Sequence, residues 1–192
     1  MAAFDKAYSL TLKIEAGYAN DPDDPGGETF GGISRIANSD WPGWVLIDQI
    51  KKTAKRTDYD KVMFAHAELM RLVRSVYKAR YWDVNRLDFI TNQAIANELF
   101  DTSVNMGITV GAQFLQRALN VLNQNQQLYP DIAVDGVVGP QTVMLTNAHP
   151  YPALILKVLN ILQGYRYIDL AEKAPVQEKY MRGWLSRVAI QN

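Results

Sequence analysis

Along the first seventeen residues, apolar side chains recur with the period of an α-helix. At about 100° per residue, Phe4, Ala7, Tyr8 and Leu12 fan across one arc, which Leu10 and Ile14 extend. Asp5, Lys6, Ser9 and Lys13 gather on the opposite side. Glu15 breaks this division, because it projects between Phe4 and Tyr8, inside the apolar arc. Gly17 is a natural stop, since glycine tolerates the left-handed conformation after a last helical turn. The stretch that follows, up to Ile33, has Pro22, Pro25 and the pairs Gly26-Gly27 and Gly31-Gly32. Proline fixes φ and glycine permits reversals, so this reads as a defined loop or a short hairpin.

Helical periods dominate the rest of the chain. Residues 45–52 form a short predicted helix. A longer one runs from Asp58 or Asp60 to about Arg80, with Met63, Phe64, Ala67, Met70, Val73 and Tyr77 on one face. Residues 90–106 are amphipathic and stop at Gly107, after which Thr109 can cap a helix through Phe114, Leu115, Ala118, Leu119 and Leu122. Residues 123–127 are a polar connector, too short for a disordered linker. Residues 151–170 are apolar nearly all round, a pattern that predicts a central buried helix. A final helix carries Tyr180, Trp184, Leu185 and Val188. Strand signals are confined to residues 21–33 and 133–138. The fold expected is mainly α.

Composition narrows the class. A chain of 192 residues, 48% hydrophobic, suits one domain or one domain of two lobes with a sizeable core. The formal net charge is zero, so no global argument favours nucleic acid as a partner. The absence of cysteine rules out disulfides and thiol catalysis and fits synthesis in a reducing cytoplasm. The chain enters its first helix directly, without the basic and apolar segments of a signal peptide. No stretch approaches the roughly 20 apolar residues of a membrane span, so stable membrane insertion is not expected.

Candidate chemistry centres on Glu15. An ionised carboxylate within an apolar arc loses hydration, so its pKa would rise and it would hold its proton near neutral pH. That is the state a general acid needs. The alternative is a surface or salt-bridged carboxylate; helix, glycine and polar loop together favour a site. The run Glu15-Ala16-Gly17-Tyr18, then Asn20-Asp21-Pro22-Asp23-Asp24-Pro25-Gly26-Gly27-Glu28-Thr29 and Gly32-Ile33, resembles glycoside hydrolase family 108, lysozyme-like N-acetylmuramidases of phages and bacteria. That family reads Glu-Gly-Gly-Tyr, Asn-Asp-Pro-x-Asp-Pro-Gly-Gly-x-Thr and Gly-Ile. Ala16 departs from it, and Phe30-Gly31 is unusual ahead of Gly32. Neither change removes a group that could do chemistry.

A second motif, Asp135-Gly136-Val137-Val138-Gly139-Pro140-Gln141-Thr142, resembles peptidoglycan-binding modules. Asp101-x-x-x-Asn105-x-Gly107, Leu115-Gln116 and Gly183-Trp184-Leu185-x-Arg187 also look like family 108. The resemblance implies a lysozyme-like, single compact domain of two lobes, with a small loop or hairpin carrying the site. Residues 1–92 would be the catalytic part, and residues 93–192 a helical, peptidoglycan-binding-like part packed into the same fold.

The expected activity is cleavage of the MurNAc–GlcNAc β-1,4 bond. The resemblance implies that Glu15 is the catalytic acid, protonating the leaving oxygen. Asp24 would stabilise the oxocarbenium-like charge or help position water, and Thr29 would hold that water. Asp24 and Thr29 lie nine and fourteen positions after Glu15, a spacing close to that of an acid and a threonine in phage-type lysozymes. Asp21 and Asp23 compete for Asp24's role. Tyr18, Glu28, Trp82 and Asn105 are the expected substrate contacts. A lytic transglycosylase and a non-catalytic wall-binding or secretion-related protein are the alternatives.

No metal or cofactor is expected. Asp21, Asp23 and Asp24 resemble a calcium loop, but Gly32 stands at its twelfth position in place of a bidentate glutamate. His66 and His149 are each alone, so zinc has no ligand set. The expected partners are peptidoglycan glycan strands, met by a monomer. It would be made in the bacterial cytoplasm and reach the wall by holin-type or assisted export.

Overall fold

The computed structural model describes residues 1–11, 17–21 and 27–188. The chain divides into two compact units, Tyr8–Arg80 on the one hand and Met1–Ala7 with Tyr81–Asn192 on the other. The described residues are mainly helical, as the apolar periodicity predicts. None of their helices is long and apolar enough to cross a membrane. The first helix, α1 (Phe4–Thr11), buries Phe4 and Ala7 as its apolar arc requires, but Leu10 at the edge of that arc is 55% exposed.

In the unit Tyr8–Arg80, three two-residue strands form an antiparallel sheet in the order β1 (Tyr18–Ala19), β2 (Thr29–Phe30), β3 (Ile33–Ser34). Tyr18 faces Phe30 and Ala19 faces Thr29; Phe30 in turn faces Ile33. Gly31 and Gly32, with φ of +52° and +72°, make the two-residue turn between β2 and β3, a geometry that glycine adopts without strain. Strand alternation then buries Phe30 and leaves Thr29 partly exposed.

After the sheet, the described residues of this unit form the α-helices α2 (Gly43–Thr53), α3 (Tyr59–Ala65) and α4 (Ala67–Tyr77). They pack on one another with Trp44, Ile47, Met63, Leu69 and Val73 buried. The hydroxyl of Tyr77 donates to the carbonyl of Gly31 at 3.0 Å and so fastens the hairpin turn to α4. The single helix expected from residue 58 or 60 to 80 is in fact broken. His66 adopts an extended conformation (φ −83°, ψ 100°), and its Nδ1 accepts the Leu69 N–H at 3.2 Å, capping a new helix. The buried face shifts with the break: Leu69 goes inside while Phe64 is 44% exposed.

In the other unit, α5 (Gln93–Met106) starts later than the period suggests, because Asn92 caps it. Its Oδ1 accepts the N–H groups of Ala94 and Ile95 at 3.0 and 3.1 Å. Gly107 (φ +96°) ends α5 and itself precedes α6 (Ile108–Val121), so Thr109 lies within that helix and does not cap it. At Gly111 a Cβ would strike Ser103 Oγ, so glycine lets α5 and α6 approach closely. The polar connector is a tight turn: Gln124, Asn125 and Gln126 are all left-handed (φ 56°, 55° and 64°). Asn123 holds it, accepting the Gln126 N–H at 3.0 Å through its side chain and the Leu128 N–H at 3.1 Å through its carbonyl.

Residues 133–138 form no strand but lead to α7 (Pro140–Ala148), entered through Pro140. Two further helices follow, α8 (Pro152–Lys173) and α9 (Met181–Leu185). α8 is not the all-round buried helix that its composition predicts. It packs on α5, α6 and α9 and buries Ile155, Leu159, Gln163, Tyr167 and Ala171, with the Tyr167 ring stacked on Trp184. Its other side leaves Leu154, Ile161, Tyr165 and Ile168 between 44% and 63% exposed. With Leu185 and Val188 that side lines an open groove of about 610 Å³.

Candidate active site

The β1–β2–β3 sheet gathers three of the residues singled out by sequence: Tyr18, Glu28 and Thr29. Their meeting point is the Glu28 carboxylate. Its Oε1 accepts the Tyr18 hydroxyl at 2.7 Å and the Lys51 ammonium at 2.6 Å, and its Oε2 accepts Arg35 Nη1 at 2.6 Å. Arg35 also grips Asp48 with two bonds, at 2.9 and 2.6 Å. Burial would raise the pKa of Glu28, but hydrogen bonds from Lys51, Arg35 and Tyr18 outweigh it and hold the group below its ordinary value. Arg35 likewise holds Asp48 low, against the opposing effect of burial. The cluster is therefore ionised at neutral pH, and it ties β2 to the long side chains of α2.

Tyr18 is held at three points. Its hydroxyl reaches Glu28, its ring meets the Tyr59 ring edge-on at 5.4 Å, and its backbone N–H donates to Asp60 Oδ1 at 2.6 Å. Lys51 lies 5.6 Å from the ring centre. The backbone of Gly17 is not left-handed, so the expected reason for a glycine there is replaced by a spatial one: a Cβ would fall on the Asp60 carboxylate. Thr29, partly exposed beside this cluster, donates its hydroxyl to the carbonyl of Gly27 at 3.2 Å. Its Oγ1 lone pairs are then left to accept from a water or a sugar hydroxyl.

The remaining candidates fall elsewhere. Glu15 and Asp24 lie outside the described residues. Trp82 belongs to the other unit and is completely buried, packed edge-on against Phe4 and Phe100, with its indole N–H on Asp88 Oδ1 at 2.7 Å. A ring with no exposed face cannot stack on a sugar, so its expected role as a substrate contact is replaced by core packing. Asn105, also in that unit, is exposed near the end of α5, and its amide turns back to donate to the Asp101 carbonyl at 2.8 Å.

The second motif is held by a side chain of its own unit. Gln116 donates to Asp135 Oδ1 and the Val137 carbonyl at 2.6 and 3.0 Å and accepts the Gly136 N–H at 2.9 Å.

Sequence reasoning missed Arg35, Asp48, Lys51 and Asp60. Periodicity assigns these residues to helix surfaces or turns, where a charged side chain needs no explanation. The one signal was Gly17 itself, whose missing side chain marks a close approach.

A family model described as Glycosyl hydrolase 108 matches residues 8–107. A second, described as Predicted Peptidoglycan domain, matches residues 110–189. Comparison with curated proteins gives no match. Among solved structures, SagA of Brucella abortus is similar with a TM-score of 0.60 and 20% identity, over 96% of this chain and 88% of that one. A likeness at that identity speaks to the fold alone.

Proposed function

The chain belongs to glycosyl hydrolase family 108, a glycoside hydrolase acting on peptidoglycan, and from that premise we propose that it is an N-acetylmuramidase with Glu15 as the proton donor. Its mainly α fold with a small three-stranded sheet is of the lysozyme-like kind. The observation that carries the finer reading is the register of the sheet. β1 begins three residues after Glu15, β2 begins five after Asp24, and Ala19 pairs with Thr29. Strand pairing thus joins the chain that leaves the acid to the chain that bears the threonine.

In this reading Glu15 protonates the oxygen of the MurNAc–GlcNAc β-1,4 bond as it breaks. Asp24 offsets the positive charge that develops on the sugar ring, which lowers the barrier. Thr29 accepts a hydrogen bond from the water that completes hydrolysis. Glu28, with three donors already on its carboxylate, keeps the hairpin in shape for this chemistry. Tyr18 and Asn105 remain proposed sugar contacts.

The test is digestion of purified peptidoglycan by the protein and its Glu15→Gln variant, with the products identified by mass spectrometry. New reducing ends on MurNAc and a fall of roughly 10²–10⁴-fold in the variant are expected. Anhydro ends would replace the reading with a lytic transglycosylase. Full activity in a folded variant would remove Glu15 from the mechanism.

A further inference from the structure

Resting on the reading of Glu15 just given, we propose that Asp60 is a positioning residue for the proton donor, acting through the backbone of Gly17 and Tyr18. A general acid works when its donor oxygen lies within hydrogen-bond reach, about 2.6–3.2 Å, of the atom it serves, or is joined to it by one water. The chain two residues beyond Glu15 must therefore be fixed closely. β1 cannot do this alone, since it is two residues long and has one neighbour, β2.

Asp60 supplies the missing restraint. Its carboxylate accepts the Tyr18 N–H at 2.6 Å across 42 positions of sequence, a charge-assisted bond. It also lies where a side chain on residue 17 would otherwise be, so the glycine leaves the carboxylate its place against the Tyr18 N–H. Asp60 stands in the first turn of α3, and α3 packs against α2 and α4, so the anchor is set on the helical body of its unit. Its neighbour Tyr59 holds the Tyr18 ring and donates its hydroxyl to the Lys51 carbonyl at 3.2 Å. Misplacement of a catalytic group by about 1 Å can cost about 100-fold in rate. A lost anchor at this point would be felt in turnover.

The proposal is tested with Asp60→Ala, Asp60→Asn, Gly17→Ala and the Gly17→Ala/Asp60→Ala double variant, measuring kcat, KM and Tm on solubilised glycan strands. Asp60→Ala removes the acceptor, and Gly17→Ala pushes it aside. Both should lower kcat about 10- to 100-fold with KM changed less than about twofold. Tm should fall by less than about 5 °C, because Asp60 is exposed.

Asp60→Asn keeps an oxygen for the Tyr18 N–H and should recover most of the rate. The double variant should be no slower than the slower single one, since both break the same contact. Normal turnover in Asp60→Ala or Gly17→Ala overturns the proposal. So does an Asp60→Asn variant as slow as Asp60→Ala, which would make the charge itself the working part. If Glu15→Gln is inactive while Asp60→Ala turns over normally, only the positioning role fails. If Glu15→Gln is fully active, both readings fail.

Discussion

The ammonium of Lys51 lies 2.6 Å from Oε1 of Glu28, 23 positions earlier in the chain, and both side chains are largely buried (28% and 11% exposed). Lys51 comes from α2 and Glu28 from the residue before β2, so the pair fixes the sheet to its helix. Arg35 completes the neutralisation from the other carboxylate oxygen. The folded pKa of Glu28 is lowered and that of Lys51 raised. Stability from Glu28 is thus present above its ordinary 4.5 and lost as pH falls through the lower folded value. Stability from Lys51 is present below its ordinary 10.5 and lost as pH rises through the higher folded value.

Lys51→Met should destabilise the protein by about 1 kcal/mol at pH 7, a modest amount because both partners keep some contact with water. The acid limb of its stability curve should move to higher pH as Glu28 loses one of the two cations on its carboxylate. Thermal melts between pH 3 and 7 measure both effects. An unmoved acid limb would mean that Arg35 alone keeps Glu28 ionised.

Glu98, on α5, has the opposite pH behaviour. It is 7% exposed, and burial first, then the charge of Asp101, push its pKa up to about 8, with the Thr102 hydroxyl opposing. Between about 4.5 and 8 the unfolded chain releases a proton that the folded chain keeps, so stability falls as pH rises through that window. Glu98→Gln should flatten the slope, with no gain at pH 4 and about 1–3 kcal/mol at pH 8. Urea unfolding at the two pH values decides; equal effects at both would mean that Glu98 does not titrate in this range.

Gly136→Ala tests the second motif. Gly136 has φ +78°, and a Cβ there would strike the Thr109 methyl group. The substitution should cost about 2–4 kcal/mol, from backbone strain and overpacking together. Adsorption of the folded protein to purified walls should not change, because the motif's polar groups are engaged by Gln116. A variant that melts normally but no longer adsorbs would make this loop a sugar contact.

Features written in neighbouring residues were legible in the sequence. Gly31-Gly32 marked the hairpin turn, Gly107 the end of α5, and Pro140 the start of α7. What depended on distant residues was hidden. Nothing near Asp60 indicates that it accepts from Tyr18, and nothing near Trp82 indicates that Phe4 and Phe100 enclose it. The break at His66 escaped notice because histidine is an uncommon helix cap. On α8, apolar composition was taken for burial, although α5 and α6 pack on only one of its sides. Within the site, the acid-bearing motif was readable as a pattern, whereas the ion cluster supporting it exists only once the chain has folded.

The left-handed turn at Gln124, Asn125 and Gln126 also bears on how the chain can be cut. A run of five amides, four of them exposed, looks like an invitation to a protease, and exposed polar loop tips usually are. An endoprotease, however, draws its substrate across the cleft as an extended strand. Here three successive residues are wound the other way, and Asn123 is tied to Gln126, Leu128 and Asp131. Extending them breaks those bonds together, so cleavage must wait for the local structure to open. The most linker-like stretch of the sequence is therefore a guarded one, and a nick there would report the opening of this turn.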